Sequence, residues 1–470
     1  MPSPIPQPKG LPVIGNLLAL DPKNPWASFN KLALSSSSHY PLFKIRILSK
    51  EIVFVTSAAL LEEICDETRF RKCVTGPIEE IRAAVHDSLF TARHNEAEIW
   101  GVAHRIMATM MTPEAVESVF DDINTTTREL VAKWAAGQKQ RISVTGDLDR
   151  SNHSANMLAF FHQKTDCLTG PAPEVIAAQQ NSTTQAMQRP TRPKFLTWLL
   201  GHGKRFEQDI KTMRDYGAAI VKRRREEESA GGETPKDMLH ALLHGVDSET
   251  GKSLNESQVL DEIINIFIGS ATAPNLLSFG LYYLARKPEV VAKAREELDA
   301  VVGNAPFTHD SLSKIPYTEA ILRETLRLSA TAPGFNIEAI PSDGNEPVLL
   351  AGGEYQIPRS QPLIALLTAV NRDPAVFEEP GEFRPERMVG EKYDALPVGV
   401  KKGFGNGKRQ CFGTRYAWEW SLLVLAAIIK DVDFELADKS YTTDNTGVNY
   451  NGAFSTRPLD FFLLVSPRQK

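Results

Sequence analysis

Residues Gly403–Gly413 read GFGNGKRQCFG, four glycines and one cysteine among eleven residues. Gly405 and Gly407 permit backbone geometry that other residues avoid. A helical pattern begins just after Cys411. The cysteine therefore stands where helix N–H groups and the positive end of the dipole favour a thiolate. Gly413 leaves room for a flat group to approach the backbone. Arg409, two residues before the cysteine, is placed to meet an anionic group on such a ligand. The plainer alternative is a buried structural cysteine, the usual fate of a lone Cys.

Working outward, the helix after Cys411 continues through SLLVLAAIIKD. Before the loop lies a Pro- and turn-rich stretch, NRDPAVFEEPGEFRPERM (371–388), and before that PVLLAGGEYQI (347–357), which reads as short strands. Residues 40–57, YPLFKIRILSKEIVFVTS, alternate and are rich in β-branched residues, the pattern of a hairpin. From about 58 to 330 the periodicity is helical, as in VFDDINTTTRELVAKWA and PEVVAKAREELDAVVG. The expectation is a mainly α chain with a smaller β region: β-rich at about 38–57 and 345–370 plus C-terminal strands, helical at about 58–330 and 412–431. Strands at both ends frame a helical middle, so residues 1–470 read as one interleaved domain. No repeat or low-complexity segment is visible.

Composition excludes several classes. Forty-two per cent apolar and 24 % charged residues are globular values. The net charge is -5, and the only basic cluster, VKRRREEE (221–228), is balanced by adjacent Glu, so no nucleic-acid partner is expected. Cysteines 65, 73, 167 and 411 show no zinc spacing, and their low density fits a reducing compartment. The N-terminus has five prolines in twelve residues and no charged n-region before an apolar h-region, so neither a signal peptide nor an anchor is read there. The run Ile263–Leu284 approaches membrane-span length. Asn265, Ser270, Thr272, Asn275 and Ser278 interrupt it, Pro274 lies within it, and a capping box, SLNE (253–256), precedes it. It reads as a buried central helix with a functional middle, in a soluble, cytoplasmic chain that at most touches a membrane surface peripherally.

The loop resembles the haem-binding loop of the cytochrome P-450 family, Phe-Gly-x-Gly-x-Arg-x-Cys-x-Gly. Phe404, Gly405, Gly407, Arg409, Cys411 and Gly413 match all six specified positions. The resemblance implies a triangular-prism-like helical domain around a buried haem b, with Cys411 as the thiolate ligand of its iron. ETLR places Glu324 and Arg327 at i, i+3 on one helix face, ordinarily a surface ion pair. It resembles the family's Glu-x-x-Arg pair, completed by Arg387 in FRPERM as a structural triad. Trp100 and His104 in WGVAHR share a helix face; by resemblance they bind the haem propionates together with Arg409.

CDETRF (65–70), SLFTA (88–92), LLSFGLYYL (276–284) and TAPGF (331–335) are similar to the haem domain of self-sufficient fatty-acid hydroxylases of bacteria and fungi. Those proteins continue into a flavin-containing reductase. Here Lys470 falls about where the haem domain would end, which leads us to expect a separate NADPH-dependent reductase; an excised domain, or turnover without a reductase, remains open. A basic residue and a tyrosine hold the fatty-acid carboxylate in those hydroxylases, and Lys50 and Phe54 occupy the matching positions, the hydroxyl being lost. Phe90, Thr331, Ala332 and Phe454 match pocket-lining positions; core packing is the alternative for each. The implied substrate is lipophilic: fatty-acyl, polyketide or terpenoid, of the kind met in fungal secondary metabolism.

Monooxygenation consumes two electrons, O2 and two delivered protons. The family's central helix carries Ala/Gly-Gly-x-Asp/Glu-Thr for proton delivery. The matching residues are Ile268-Gly269-Ser270-Ala271-Thr272, so Gly269 and Thr272 are kept, Ala271 replaces the acid, and Ile268 replaces a small residue facing the iron. Pro274 removes a helical N–H and frees a carbonyl one turn earlier. Two readings follow. In one, a monooxygenase relays protons through water, a substrate hydroxyl, Ser270 or the freed carbonyl. In the other, Ala271 and Ile268 mark an atypical haem-thiolate enzyme that isomerises or rearranges its substrate, uses peroxide directly, or reduces nitric oxide. A haem-binding sensor without turnover is a third class.

Overall fold

The computed structural model describes residues 2–34, 40–192, 197, 199–232, 234–342, 344 and 346–469. The helices that position the site are α1 (Pro25–Leu34), α2 (Ala97–Ala108), α3 (Val144–Phe161), α4 (Glu174–Gln188), α5 (His202–Ser229), α6 (Met238–His244), α7 (Glu256–Ser270), α8 (Thr272–Ala285), α9 (Pro288–Val301), α10 (Pro316–Leu328) and α11 (Thr414–Asp431). The chain forms two compact units, each assembled from separated segments.

The first unit comprises Met1–Thr75, Glu319–Cys411 and Thr442–Leu459. Its strands are β1 (Leu42–Ile47), β2 (Lys50–Val55), β3 (Phe70–Lys72), and, after β4 of the other unit (Gln140–Ser143), β5 (Gly334–Ala339), β6 (Val348–Leu350), β7 (Tyr355–Ile357), β8 (Leu363–Leu366), and the short pair β10 (Tyr450–Asn451) and β11 (Arg457–Pro458). The main sheet has the order β1-β2-β8-β5-β3. β1 and β2 form the expected hairpin, Leu42 opposite Val55 and Ile47 opposite Lys50. β2 then pairs parallel to β8, and β8 antiparallel to β5. Alternation buries Leu42, Val53, Val55, Ile337 and Ala365 in one apolar cluster.

The second unit comprises Gly76–Thr318, Phe412–Tyr441 and Asp460–Lys470. It is helical, with one antiparallel sheet in the order β4-β12-β9, where β9 is Val432–Leu436 and β12 is Phe462–Pro467. α11 is buried continuously from Trp420 to Lys430. That all-round burial is what its apolar sequence, free of Gly and Pro, demands.

Two expected boundaries are corrected, and the third, at about 412–431, holds. β3 and β4 lie inside the stretch read as helical; three and four residues carry no usable period, and both strands exist through distant partners, β5 and β12. Leu367–Val370, read as β, is a single helical turn. The helix after the cysteine starts at Thr414 and ends at Asp431. Of the expected stretches, residues 38, 39, 193–196, 198, 233 and 345 lie outside the described residues.

Candidate functional site

The glycine loop lies in the first unit as far as Cys411, and its backbone explains its composition. Gly405 and Gly407 have φ of 85° and 60°, the left-handed region. The Lys402 carbonyl accepts from Gly405 N at 2.9 Å, and the Phe404 carbonyl accepts from Cys411 N at 2.7 Å. At Gly407 a Cβ would lie 2.1 Å from the Glu67 carboxyl carbon. That carboxylate accepts from Lys408 N at 2.9 Å, and Asn406 Nδ2 donates to the Cys65 carbonyl at 2.7 Å. CDETRF thus acts as the mould on which the loop is folded. Glu67 escaped the sequence reading because no local spacing links it to residue 408.

The loop presents Cys411 exposed and outside any disulfide, three residues before α11. Burial lowers the Arg409 guanidinium to about 10. Burial, and then repulsion from Arg409, bring the Lys72 ammonium to about 7. Two desolvated cations facing each other cost free energy that a bound anion recovers. Such an arrangement suits an anionic group on a ligand, and the neighbourhood of Lys72 and Arg409 was not announced by the sequence.

Glu324 and Arg327 do not form a surface pair. Both are buried, at 0 % and 3 % exposure, with Arg327 Nε and Nη2 donating to the Glu324 carboxylate at 2.7 and 2.8 Å. Arg327 also donates to the carbonyls of Asn371, Pro380 and Glu382, and Arg387 Nε stands 3.5 Å from Glu324. The structure therefore brings the triad together and uses it to hold residues 371–387, a turn-rich stretch with few ladder bonds of its own.

Among the pocket residues of this unit, Thr331 is buried, Ala332 exposed and Phe454 half-buried. Thr456 N donates to the Thr331 carbonyl at 2.9 Å, which brings the 331 and 454 segments side by side. Phe54 is fully buried, stacked on Phe43 at 5.1 Å and against Phe29 at 4.8 Å. Lys50 is exposed at the opposite end of β2, about 13 Å away at strand rise.

In the second unit, Trp100 and His104 stack on α2 with ring centroids 4.7 Å apart, and His104 meets the edge of Phe412 at 5.8 Å. Phe90 is half-buried. The neighbouring Leu89 N donates to Glu262 Oε1 at 2.7 Å. Glu262 is 1 % exposed, and burial raises its carboxyl to about 7.

The central helix is interrupted where the sequence is awkward. α7 ends at Ser270, Ala271 is the junction, and α8 starts at Thr272. Pro274 is thereby the third residue of a helix, a first-turn position that tolerates proline. Its missing N–H frees the Ser270 carbonyl, which accepts from Asn152 Nδ2 of α3 at 3.0 Å. Ser270 Oγ donates to the Phe267 carbonyl at 2.8 Å, and Thr272 Oγ1 to the Gly269 carbonyl at 3.1 Å. Ala271 and Thr272 are half-buried. Ile268, expected to crowd this face, is 4 % exposed, whereas Gly269 is exposed and an added Cβ there meets nothing within 4 Å.

An exposed thiol on a glycine-shaped loop, an open Gly413 with nothing within 4 Å of an added Cβ, and paired desolvated cations fit a flat anionic macrocycle held by a thiolate. The family model for cytochrome P450 matches residues 5–465. The chain belongs to the cytochrome P-450 family. Its members are haem-thiolate oxidoreductases, and the mainly α fold with a smaller β portion is the family's. This cytochrome P-450 is 35 % identical over 472 residues to the bifunctional cytochrome P-450/NADPH–P-450 reductase of Acremonium egyptiacum, covering 98 % of this chain and 43 % of that protein. It is 36 % identical over 443 residues to a self-sufficient cytochrome P-450 monooxygenase of Penicillium freii, covering 93 % and 41 %. A bifunctional cytochrome P-450/NADPH–P-450 reductase of Aspergillus oryzae is 32 % identical over 474 residues, covering 100 % and 42 %. The chain thus spans about two-fifths of the length of these relatives.

Proposed function

We propose that this cytochrome P-450 is a monooxygenase acting on a lipophilic small molecule, with electrons that originate in NADPH and pass through a reductase. The observation that carries this reading is the interrupted central helix that keeps Thr272 at the break. In our reading residues 1–470 are one haem domain. Haem, when bound, supplies oxygen activation and transfer. The chain's own residues do the rest. Cys411 offers the thiolate, Arg409 and Lys72 with Trp100 and His104 hold the anionic side chains, and Phe90, Thr331, Ala332 and Phe454 face the substrate.

Ala271 cannot relay a proton. Ser270 Oγ already donates to Phe267, and the freed Ser270 carbonyl accepts from Asn152. Thr272 Oγ1 likewise donates to the Gly269 carbonyl, but by the longer bond, 3.1 Å against 2.8 Å, and we assign it the movement of protons, in chain with water, by rotating away from that carbonyl. The segment Glu256–Ala285 is long and apolar enough to cross a membrane by composition, but 67 % of its most apolar window is buried. We therefore read it as a core helix of a chain without a transmembrane anchor.

The test combines purified protein, an NADPH–P-450 reductase, NADPH and 18O2 with lipophilic compounds chosen by a spectral-shift screen. One labelled oxygen per product, with Thr272→Ala cutting product per NADPH while haem content is unchanged, is the expected result. Product formed equally well under argon, or without NADPH, overturns the reading in favour of an isomerase, rearrangement or peroxide-driven enzyme.

A further inference from the structure

A convergence of metal-ligating side chains involves none of the residues assigned to the candidate site. Glu228 is in the last turn of α5, and His240 and His244 sit at i, i+4 on α6, so both imidazoles share one face. One ligand atom from each of the three falls within 4.8 Å of the others. His244 Nε2 is 2.9 Å from Glu228 Oε1, and the two imidazole rings lie 4.9 Å apart. Among the described residues no other trio of His, Cys, Asp and Glu converges in this way.

The scaffold under the trio is stiff. Arg224, one turn before Glu228, makes a fork to the Asp237 carboxylate at 3.0 and 2.5 Å, with both residues buried. The same carboxylate accepts from His240 N at 2.9 Å and so caps α6. Arg224 Nη2 also donates to the Phe161 carbonyl at 3.1 Å. Met238, Leu239 and Leu242 bury the opposite face of α6. This buried pair sets the axial register of α5 against α6, and it is why Glu228 meets the two histidines. A second observation points to a ligand: Nδ1 of His240 is buried with no hydrogen-bond partner. A buried imidazole nitrogen left this way costs free energy unless something binds it.

We propose that Glu228, His240 and His244 form a site for one divalent transition-metal ion of the zinc class. Two imidazoles and one carboxylate are a tetrahedral zinc set with a fourth position for water. His244, about half exposed, opens that position to solvent. Closing from 4.8 Å to the spacing of ligands about 2.1 Å from a common ion takes only rotamer adjustment at Glu228 and His244, the two less constrained members. Bound metal clips the end of α5 to α6.

The experiment uses tag-free, haem-loaded protein stripped with a chelator, then equilibrium dialysis against Zn2+ with elemental analysis. One zinc per chain beyond the haem iron is expected, with a rise in thermal midpoint. His240→Ala, Glu228→Gln and the exposed His244→Ala should each weaken binding by at least the roughly 10–100-fold that an outer-shell partner alone is worth. The reduced-CO spectrum should stay unchanged in all three and so report intact folding. No stoichiometric zinc in the wild type, or equal affinity in wild type and His244→Ala, overturns the site.

Discussion

Glu262 offers the sharpest quantitative test. It is a carboxyl in an almost water-free place, held by Leu89 N at 2.7 Å and by Asn265 Nδ2 at 3.0 Å, with no cation paired to it among the described residues. Its neighbour Asp261 is the one that pairs with Arg214, at 2.7 Å. Burial raises Glu262 from 4.5 to about 7, with Asp261 adding repulsion. A carboxyl whose folded pKa is raised contributes stability that is fully present below its unfolded pKa and is lost as pH rises through the folded value. At about 1.36 kcal/mol per pH unit, wild type should lose about 2–3 kcal/mol between pH 5 and pH 8 on this account. Glu262→Gln keeps an acceptor for Leu89 N, and Asn265 can turn its amide to match, but it carries no charge. Urea midpoints of wild type and E262Q, followed by loss of the reduced-CO band, should therefore nearly coincide at pH 5 and separate at pH 8, with E262Q the more stable. Parallel pH profiles refute the reasoning. Because Leu89 precedes Phe90, the same titration should also move the substrate-induced spectral shift.

Three further outcomes are expected. Anion binding recharges Lys72, so haem transfer to an acceptor protein should quicken as pH rises from 7 to 9, and Lys72→Met should flatten that dependence. Asn152→Leu should cost about 1 kcal/mol in urea denaturation, and much less in a Pro274→Ala background, where residue 274 again supplies an N–H for the Ser270 carbonyl; equal costs in both backgrounds speak against the freed-carbonyl account. Arg327→Met leaves Glu324 charged and buried, so destabilisation of about 3–5 kcal/mol and poor haem retention should follow, while a change within 1 kcal/mol contradicts the buried pairing.

What the sequence determined by itself was local. Cys411 with Gly405, Gly407, Arg409 and Gly413 lies within eleven residues, and backbone permission and helix-end electrostatics can be read at that range. The i, i+4 pair Trp100 and His104, the i, i+3 pair Glu324 and Arg327, the β1–β2 hairpin and the trouble around Gly269–Pro274 are legible for the same reason: helix and strand periods are short. Tertiary structure alone decided which groups lose water and who satisfies them. Glu67 shapes the loop from 341 residues away, and Asn152 takes the Ser270 carbonyl from 118 away. Lys72 is lowered first by burial and then by Arg409 because β3 packs beside the loop, and Phe54 is buried because Phe29 and Phe43 close over it. Desolvation depends on everything packed around a group, and no spacing along the chain encodes it.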